Sequence, residues 1–542
     1  MAPPSWSNDP HDEPSNSPHS VANFEQAHHV DSHVGKTVGG GMLLDPLTLP
    51  PSAAPVSNAA AAVVPKNNWA ALPASQESQR TRNPIRAVVD PIMADYRKNS
   101  SNTEATPTVP SKPFISLALG DPTSSGNFEP CPIVQQVCTT SPSLSTDTAG
   151  YVNALGTDEA RQVIAKYHSS WKNPLVGIPS RSIDVDHVLV ASGCSGVLDL
   201  VLKALLDPGT CLLVPNPGFP LYQVIAESIG ARVLPYNLLP EMDWEMDLQH
   251  IQKLIDENIG KVRAILVNNP SNPTGSVFRL PHLEDLVRLC NNNCLPIVAD
   301  EIYGDLTFDE TRPFVPLANV ALSSSLSSSV LTESITTTAS VPVIACSGIG
   351  KQFLVPGWRV GWAVFYDNHV QSLKPVEHGA KQLAQIVLGA SHVAQAMATR
   401  VLSAALPMHD NDGSSPSSLQ AEMIMWQRDL RDKLRSNAEV VQQSLSKAPG
   451  LVVHKALGAM YSMVTFDPSE FDFLSSSPLD TATAGEKLST LLLQEESVFV
   501  LPGSCFGIPN AFRLVFCAPA MTLQQALDRL VAFSQRHHVG GK

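Results

Sequence analysis

The sequence lacks the features that mark several classes of protein. Its nine cysteines form no Cys-x-x-Cys pair, and the two nearest, Cys290 and Cys294, lie on a predicted helix without a histidine cluster. They are interpreted as cytosolic thiols, and no metal site is expected. Lysine and arginine form no basic cluster, and a formal net charge of −14 argues against a nucleic-acid partner.

Targeting segments are also missing from the sequence pattern. No apolar stretch has the length of a signal-peptide core or a membrane span, and Val539-Gly-Gly-Lys542 is not a peroxisomal address. Arginine is absent before Arg80, whereas Asp9 and Asp12 come early. Mitochondrial and chloroplast presequences are rich in arginine and poor in acids. We therefore expect a cytoplasmic protein that does not associate with membranes.

Two regions show little hydrophobic patterning. Residues 1–82 are predicted to be a disordered N-terminal tail, because they are rich in Pro, Ser, Ala, Asn and His without sustained periodicity. Residues 321–340 are rich in Ser and Thr and are predicted to be an inserted surface loop. A further polar stretch from Asp410 to Ser418 is predicted to be a loop between helices.

The rest of the chain is too long for one ordinary hydrophobic core, so two domains are expected. Strand and helix patterns alternate from residue 130 to residue 395. This alternation predicts an α/β fold, with a mostly parallel sheet covered by helices on both faces. Residues 396–542, together with an N-terminal arm at 83–129, are predicted to form a smaller α+β domain.

What the sequence does contain is a lysine and an arginine in one glycine-rich run, Ser347-Gly-Ile-Gly-Lys351-Gln-Phe-Leu-Val-Pro-Gly-Trp-Arg359. A lysine amine can form a Schiff base with an aldehyde, and the planar fork of an arginine grips a phosphate. Pyridoxal 5'-phosphate (PLP) has both groups. An isolated Gly-x-Gly-Lys is more often an ordinary turn, so the assignment depends on three further segments.

The first of these segments, Val298-Ala-Asp300-Glu-Ile-Tyr303, begins as a buried strand and ends in polar residues. Ligands of open α/β sheets bind at the carboxyl ends of the strands. Asp300 can hold the pyridine nitrogen of PLP protonated there, and Tyr303 can donate to the ring oxygen. Taken alone, Asp300 would more often be a helix cap or an acid in a surface loop.

The other two segments also run from an apolar strand into polar turn residues. In Ile265-Leu-Val-Asn-Asn-Pro-Ser-Asn272-Pro-Thr-Gly275, either Asn-Pro bond can be cis, and Asn272 would lie near the cofactor. In Val188-Leu-Val-Ala-Ser-Gly-Cys-Ser-Gly196, a strand, a small-residue turn and a helix form an anion-binding layout. Phe219 follows in a Pro-Gly-Phe turn and could stack on a flat cofactor.

Together these segments resemble the fold type I, PLP-dependent aminotransferases of the aspartate aminotransferase superfamily. The likeness runs from Asn83-Pro-Ile-Arg86 to Arg513, about four fifths of the chain. The phrases Asn268-Asn-Pro-Ser-Asn-Pro273 and Asp300-Glu-Ile-Tyr-Gly-Asp305 resemble the tyrosine branch of that superfamily. The resemblance implies the PLP-dependent transferase fold, PLP as cofactor, amino acid and 2-oxo acid substrates, and a homodimer.

The resemblance also implies a role for each matching residue. Lys351 is implied to be the Schiff-base lysine and proton shuttle, and Asp300 to pair with the pyridine nitrogen. Asn272 and Tyr303 are implied to hold the ring oxygen, and Phe219 to stack on the ring. The implied phosphate ligands are Gly193, Cys194, Ser195, Ser347, Arg359 and, from the neighbouring subunit, Tyr151. The implied substrate ligands are Arg513 for the α-carboxylate, with Gly120 and Asn272 lining the pocket.

Two features depart from the aspartate aminotransferase pattern. Gly348 occupies the position three before Lys351, where those enzymes carry a phosphate-binding serine, and this leaves the role of Ser347 open. The spacing from Asp300 to Lys351 is longer than usual by about the length of the 321–340 insertion.

The implied activity is transfer of the amino group of an aromatic L-amino acid, with tyrosine favoured, to 2-oxoglutarate. Alanine, leucine, methionine and nicotianamine stay open as donors, because the sequence does not locate the side chains that shape the pocket. Elimination, as in C–S lyases, uses the same kind of site but needs no oxo acid acceptor. A non-catalytic binding protein is the remaining alternative, and the joint presence of Lys351, Asp300, Tyr303 and Arg359 argues against it.

Overall fold

The carboxyl edge of one large sheet positions most of the predicted site residues. The computed structural model describes residues 74–101, 112–123, 126–140, 148–170, 183–326, 340–406, 418–475 and 484–541. Its strands are β1 (Ile115–Ser116), β2 (Val188–Ser192), β3 (Cys211–Asn216), β4 (Arg232–Leu239), β5 (Glu245–Met246), β6 (Val262–Asn268), β7 (Ile297–Asp300), β8 (Val343–Gly348), β9 (Val360–Tyr366), β10 (Leu451–Val453), β11 (Tyr461–Phe466), β12 (Val498–Phe499), β13 (Leu501–Pro502) and β14 (Ala511–Val515).

Helices cover the sheets and connect their strands. They are α1 (Gln76–Arg80), α2 (Pro84–Ser101), α3 (Pro132–Thr140), α4 (Asp158–Ser170), α5 (Gly193–Leu205), α6 (Leu221–Ser228), α7 (Leu248–Glu257), α8 (Leu280–Asn292), α9 (Leu317–Leu326), α10 (Ile349–Gln352), α11 (Lys374–Val387), α12 (His392–Ala405), α13 (Ser418–Leu445), α14 (Asp472–Ser475), α15 (Ala484–Glu496) and α16 (Ala520–His537).

The large sheet has the strand order β2-β9-β8-β7-β6-β3-β4-β5. Strands β8, β7, β6, β3 and β4 run parallel to their neighbours in this series. Strand β9 is antiparallel to β2 and β8, and β5 is antiparallel to β4. The prediction of a mostly parallel sheet is confirmed.

Helices cover both faces of this sheet, which explains why its central strands are continuous apolar runs. Along β7, Ile297 and Ala299 pack into one core cluster and Val298 packs into the other. The alternation of side chains places Asp300 on the same side as Val298. Every residue of β7 is buried, so the carboxylate at its end is held away from water.

A second, smaller layer contains the antiparallel sheet β10-β11-β14-β13 and helices α13, α15 and α16. Strand β1 pairs in parallel with β12, with Ile115 opposite Val498. The N-terminal arm thus pairs with the C-terminal part of the chain. Both layers belong to one compact unit, residues 72–542.

Three predicted boundaries are corrected by the structure. The end of the predicted tail is helical, because α1 (Gln76–Arg80) lies within residues 1–82 and Arg80 donates to the Ser228 carbonyl at 3.1 Å. The predicted insertion 321–340 is wrong at its start, since α9 continues to Leu326 and Ala321 is fully buried. Helix α12 packs on α4, so we place the end of the large domain after Ala405.

Parts of the predicted tail, insertion and polar loop lie outside the described residues. These are residues 1–73 of the tail, residues 327–339 of the insertion and residues 410–417 of the polar loop. Across the described ranges, no helix is long and apolar enough to cross a membrane. The same residues contain no group of three or more His, Cys, Asp or Glu side chains arranged to hold a metal ion.

Candidate active site

The predicted site residues meet where parallel strands end. Asn268 at the end of β6 pairs with Asp300 at the end of β7, and Asp300 pairs with Cys346 near the end of β8. Lys351 follows β8 in the short helix α10, and Cys194 lies in the first turn of α5. Carboxyl ends of parallel strands share one edge of a sheet, so chain order and sheet order together bring these groups close.

Asp300 is buried and receives its hydrogen bonds from neutral groups. The Tyr222 hydroxyl donates to Oδ2 at 2.7 Å, the Cys194 thiol to Oδ1 at 3.6 Å, and the Ile302 main-chain N–H to Oδ1 at 3.3 Å. Burial raises the pKa of Asp300, and these hydrogen bonds oppose that rise. A cation beside the carboxylate would favour its ionised form, and a protonated pyridine nitrogen is such a cation.

The guanidinium of Arg359 lies against the start of α5. Gly193 has φ of 70°, and a Cβ there would lie 2.7 Å from Nη2 of Arg359. Arg359 is exposed, and its guanidinium donates to two main-chain carbonyls, those of Pro356 at 3.2 Å and Ser192 at 3.4 Å. The cation therefore lies against the start of α5, where the Gly193 N–H donates to the Arg359 carbonyl at 3.0 Å, and a cation beside a helix start suits a phosphate.

The two predicted serine ligands of the phosphate differ in placement. Ser195 lies exposed in the first turn of α5, beside Cys194. Ser347 is fully buried in β8, and its hydroxyl has no hydrogen-bond partner among the described residues. Side-chain alternation in β8 places Ser347 on the face of Ala345, opposite Cys346. Ser195 therefore lies two residues after Gly193, which Arg359 contacts, whereas the Ser347 hydroxyl is buried on the other face of the sheet from Cys346.

Lys351 points its amine at the N-terminal arm. Its Nζ donates to the Gly120 carbonyl at 2.5 Å and lies 5.9 Å from the centre of the Tyr303 ring. The side chain is half-buried, so the amine is held in the site without being sealed from solvent. This position lets one amine reach a group bound between Asp300 and the arm.

Arg513 is buried with only 3% of its surface exposed, although guanidinium groups are rarely buried without an anion. Nη1 donates to Oδ1 of Asn272 at 2.8 Å, and Nη2 to the Ala118 carbonyl at 2.6 Å. Nε has no partner among the described residues. The rings of Tyr461 and Phe506 flank the guanidinium, with 4.4 and 4.7 Å from Cζ to their centres. In the described contacts its partners are neutral, so an anionic ligand would complete the site.

The loop that carries Asn272 has the two Asn-Pro peptides noted in the sequence. Both are cis, Asn269-Pro270 and Asn272-Pro273, as is Asn216-Pro217 before Phe219. The main-chain N–H of Asn272 donates to Oδ1 of Asn268 at 2.7 Å. Phe219 is partly buried and meets the Tyr222 ring edge to face, with centres 5.8 Å apart.

Two tyrosines of the site, Tyr222 and Tyr461, could not be recognised as site residues from the sequence. Tyr222 follows Phe219 by three residues at the start of α6, and no local pattern links it to Asp300. Tyr461 lies on β11, where its buried strand pattern predicts only core packing. A Cβ added to Gly120 would collide with the Tyr461 hydroxyl, so the glycine is required by a residue more than 300 positions away.

Tyr151 does not join the other predicted residues within the protomer. Its side chain is 95% exposed, and it lies near the start of the described segment 148–170. An aromatic side chain so open to water is available to a neighbouring molecule.

The family model for aminotransferases of class I and II matches residues 112–530. The chain belongs to this family. It is 34% identical to tyrosine aminotransferase of Mus musculus over 473 residues, covering 87% of this chain and 89% of that protein. It is also 34% identical to tyrosine aminotransferase of Dictyostelium discoideum over 464 residues, covering 85% and 96%.

Solved structures agree with this assignment. Tyrosine aminotransferase from Leishmania infantum superposes with a TM-score of 0.67 at 25% identity, covering 87% of this chain and all of that one. Alanine aminotransferase from Pyrococcus furiosus gives a TM-score of 0.68 at 26% identity, with 86% of this chain covered. The aspartate aminotransferase of Thermus thermophilus, 21% identical with a TM-score of 0.65, shares the fold. The chain is therefore a PLP-dependent aminotransferase of fold type I.

The described residues fit PLP at three points. A buried carboxylate with neutral donors is available for the ring nitrogen at Asp300. A guanidinium beside a helix start is available for the phosphate at Arg359, where Gly193 leaves room that a Cβ would fill. An amine is available for the aldehyde at Lys351.

Proposed function

We propose that this aminotransferase moves the amino group of an aromatic L-amino acid, tyrosine in preference, to 2-oxoglutarate. The observation that carries the proposal is Arg513, a buried cation whose described partners are neutral and which contacts the same arm as Lys351. A carboxylate gripped there would bring a neighbouring α-amino group towards the lysine. The aromatic preference is supported by the tyrosine aminotransferases among the relatives and by the rings of Tyr461 and Phe506 beside the cation.

Each group in the site has a task in this reaction. When bound, PLP supplies an aldehyde that takes up the substrate amine and a ring that draws electrons from the α-carbon. Lys351 would hold the cofactor aldehyde through its amine. Once the substrate amine has taken its place, the same amine would take up the proton of the substrate α-carbon and return it to the carbon two bonds away. The Gly120 carbonyl, at 2.5 Å from Nζ, holds the amine on that side of the site.

The remaining residues hold the reactants still while the proton moves. Asp300, oriented by Tyr222, pairs with the ring nitrogen and favours its protonated form. Arg359 and the start of α5 hold the phosphate, and Phe219 packs on the ring face. Arg513 fixes the substrate carboxylate, which keeps the α-proton within reach of Lys351.

The donor assignment is tested by measuring kcat/KM for a panel of L-amino acids with 2-oxoglutarate. We expect tyrosine and phenylalanine to exceed alanine, leucine, methionine and nicotianamine. A larger value for any of these four would assign another donor. Product formation without an oxo acid would instead indicate elimination, the alternative that shares this site.

Arg513→Lys tests the carboxylate assignment. Lysine keeps the charge but cannot make two parallel hydrogen bonds, so we expect KM to rise about tenfold or more for both the amino donor and the oxo acid. PLP affinity should change much less than KM, because the described hydrogen bonds of Arg513 do not involve Lys351, Asp300 or Arg359. Loss of PLP with normal KM would show that Arg513 is structural. Arg288→Lys, at an exposed arginine of α8, is the control.

We further infer that the active unit is a homodimer to which Tyr151 contributes. The end of α11 exposes Ile386 and Val387, 77% and 72% exposed, and Leu388 is 52% exposed. Gly389 lies against the Ala154 carbonyl, so this apolar segment neighbours the loop of Tyr151. A contiguous apolar surface next to an exposed tyrosine suits a two-fold contact between copies.

Val387→Asp tests this dimer. We expect it to shift sedimentation from two copies to one and to weaken PLP retention, because each site would lose the Tyr151 of its neighbour. Ile259→Asp is the matched control: Ile259 is 82% exposed and precedes β6, at the opposite end of that strand from the site. An active monomer in the unchanged protein would contradict the inference. Tyr151→Phe should weaken PLP retention without changing sedimentation.

A cytoplasmic location is proposed as well. All nine cysteines are free, which is the usual state in a reducing compartment. Fractionation of cells that express the full chain tests this location, and recovery in a membrane or organelle fraction would contradict it.

A further inference from the structure

Tyr461 contacts both halves of the proposed site, and none of the roles given above uses it. Its side chain is buried, and its hydroxyl lies 2.6 Å from the hydroxyl of Tyr303. Its ring packs on the guanidinium of Arg513, 4.4 Å from Cζ to ring centre. One side chain therefore touches the residue assigned to the ring oxygen of PLP and the residue assigned to the substrate carboxylate.

Packing fixes the Tyr461 side chain in this position. Its ring meets the Tyr303 ring edge to face, with centres 5.6 Å apart and planes at 88°. Gly120 approaches the hydroxyl so closely that no Cβ would fit between them. The main chain pairs with Val515 of β14. A buried ring held by a sheet and by its neighbours cannot turn its hydroxyl to another partner without disturbing that packing.

The direction of the hydrogen bond between the two tyrosines follows from proton counting. Each hydroxyl has one proton, so Tyr303 can donate to the ring oxygen of PLP only if the proton between the tyrosines belongs to Tyr461. Burial raises the pKa of Tyr303 well above its ordinary value, which keeps its own proton in place. The guanidinium of Arg513 packs over the face of the Tyr461 ring and so helps to hold that ring beside Tyr303.

The charged groups near Tyr303 and Tyr461 form their described hydrogen bonds with other residues. Lys351 donates to Gly120, Asp300 accepts from Tyr222, and Arg513 donates to Asn272 and Ala118. The described hydrogen bond of the Tyr303 hydroxyl is thus the one shared with Tyr461.

We propose that Tyr461 is a positioning residue, which donates to Tyr303 and so strengthens the hydrogen bond from Tyr303 to the ring oxygen of PLP. The proposal rests on the role of Tyr303 in the proposed function. Hydrogen bonds in series polarise one another, so the pair stabilises negative charge on that oxygen better than Tyr303 alone. The bound cofactor then loses its proton at a lower pH, because the charge left on the oxygen is already stabilised.

Tyr461→Phe removes the hydroxyl and keeps the ring beside Arg513. In a pH titration of the absorbance of the PLP-loaded enzyme without substrate, we expect the apparent pKa of the bound cofactor to rise by roughly half a unit to one unit. We expect kcat to fall several-fold and KM for the amino donor to change less than about twofold, since the ring still packs on the cation. An unchanged titration would overturn the proposal, as would a rise in KM as large as the fall in kcat.

Two further variants separate this role from a structural one. Tyr236→Phe also removes a buried hydroxyl, which donates to the Leu266 carbonyl at 2.9 Å, and should leave the titration unchanged. With Tyr303 already replaced by Phe, Tyr461→Phe should add no further shift, because its effect passes through Tyr303. If the pKa shifts of the two single variants instead add up in the double variant, Tyr461 does not act through Tyr303 and the proposal is wrong. The titration contains no amino acid. A wrong assignment of the amino donor would therefore appear in the kcat/KM values of the L-amino acid panel and would leave the titration of the cofactor unaffected.

Discussion

Replacement of Lys351 by Ala is expected to lower the rate of transamination by about three orders of magnitude or more, because the amine that holds PLP is also the proton carrier. The structure supports both tasks for one group: Nζ lies 5.9 Å from the Tyr303 ring centre and is held by the Gly120 carbonyl. Single-turnover rates with tyrosine measure the loss, and the absorbance of the purified protein reports whether PLP is still attached.

The matched control is Lys253→Ala at an exposed lysine of α7, which should leave both measurements unchanged. Thermal unfolding of the two variants should be similar, since Lys351 is half-buried and forms one described hydrogen bond. Near-normal transamination by Lys351→Ala in a folded protein would overturn the central assignment of this site. Added methylamine should restore part of the lost rate if the missing function is a proton-carrying amine.

The second large effect is expected for Asp300→Asn. The change keeps the size of the side chain and an oxygen for Tyr222 but removes the negative charge from a buried position. Breaking a buried ion pair costs about 3 to 5 kcal/mol, so turnover should fall by roughly two to four orders of magnitude. Because burial raises the pKa of free Asp300, the apo protein should also bind PLP less well as the pH falls towards the pKa of this carboxyl.

Asp305→Asn provides a closely matched control for that experiment. Asp305 also accepts a hydrogen bond from a tyrosine, Tyr167, and burial likewise raises its pKa. It lies outside the proposed cofactor contacts, so its variant should lose stability but not the ability to bind PLP. Equal losses of activity in the two variants, at equal stability, would refute a special role for Asp300.

The local part of the site could be predicted from the sequence. Asp300 ends an apolar run, Cys194 opens a helix after a strand, and Lys351 follows a third strand, and the structure places all three at one edge of the sheet. Such predictions succeed because a strand and the turn after it are close in the chain, and because parallel strands align their ends.

The parts that depend on contacts between distant residues could not be predicted. Tyr222 and Tyr461 touch Asp300 and Tyr303 across 78 and 158 positions, and their own surroundings show ordinary helix and strand patterns. The start of the 321–340 insertion was misplaced for a different reason. Its serines suggested a surface loop, but Ala321 and Leu322 lie on the buried side of α9 and continue that helix.

The pairing of β1 with β12 has a consequence for how this enzyme tolerates sequence change. The arm that follows β1 offers main-chain oxygens of Ala118 and Gly120 to Arg513 and Lys351. A carbonyl is the same whichever side chain it carries, so these two contacts depend on side chains only through the space beside the arm, which at Gly120 admits no Cβ. Loss or gain of one residue between Ser116 and Ala118 would shift both oxygens along the strand direction by about 3.3 Å. Spacing, together with the glycine at Gly120, is therefore what this stretch of the chain must preserve.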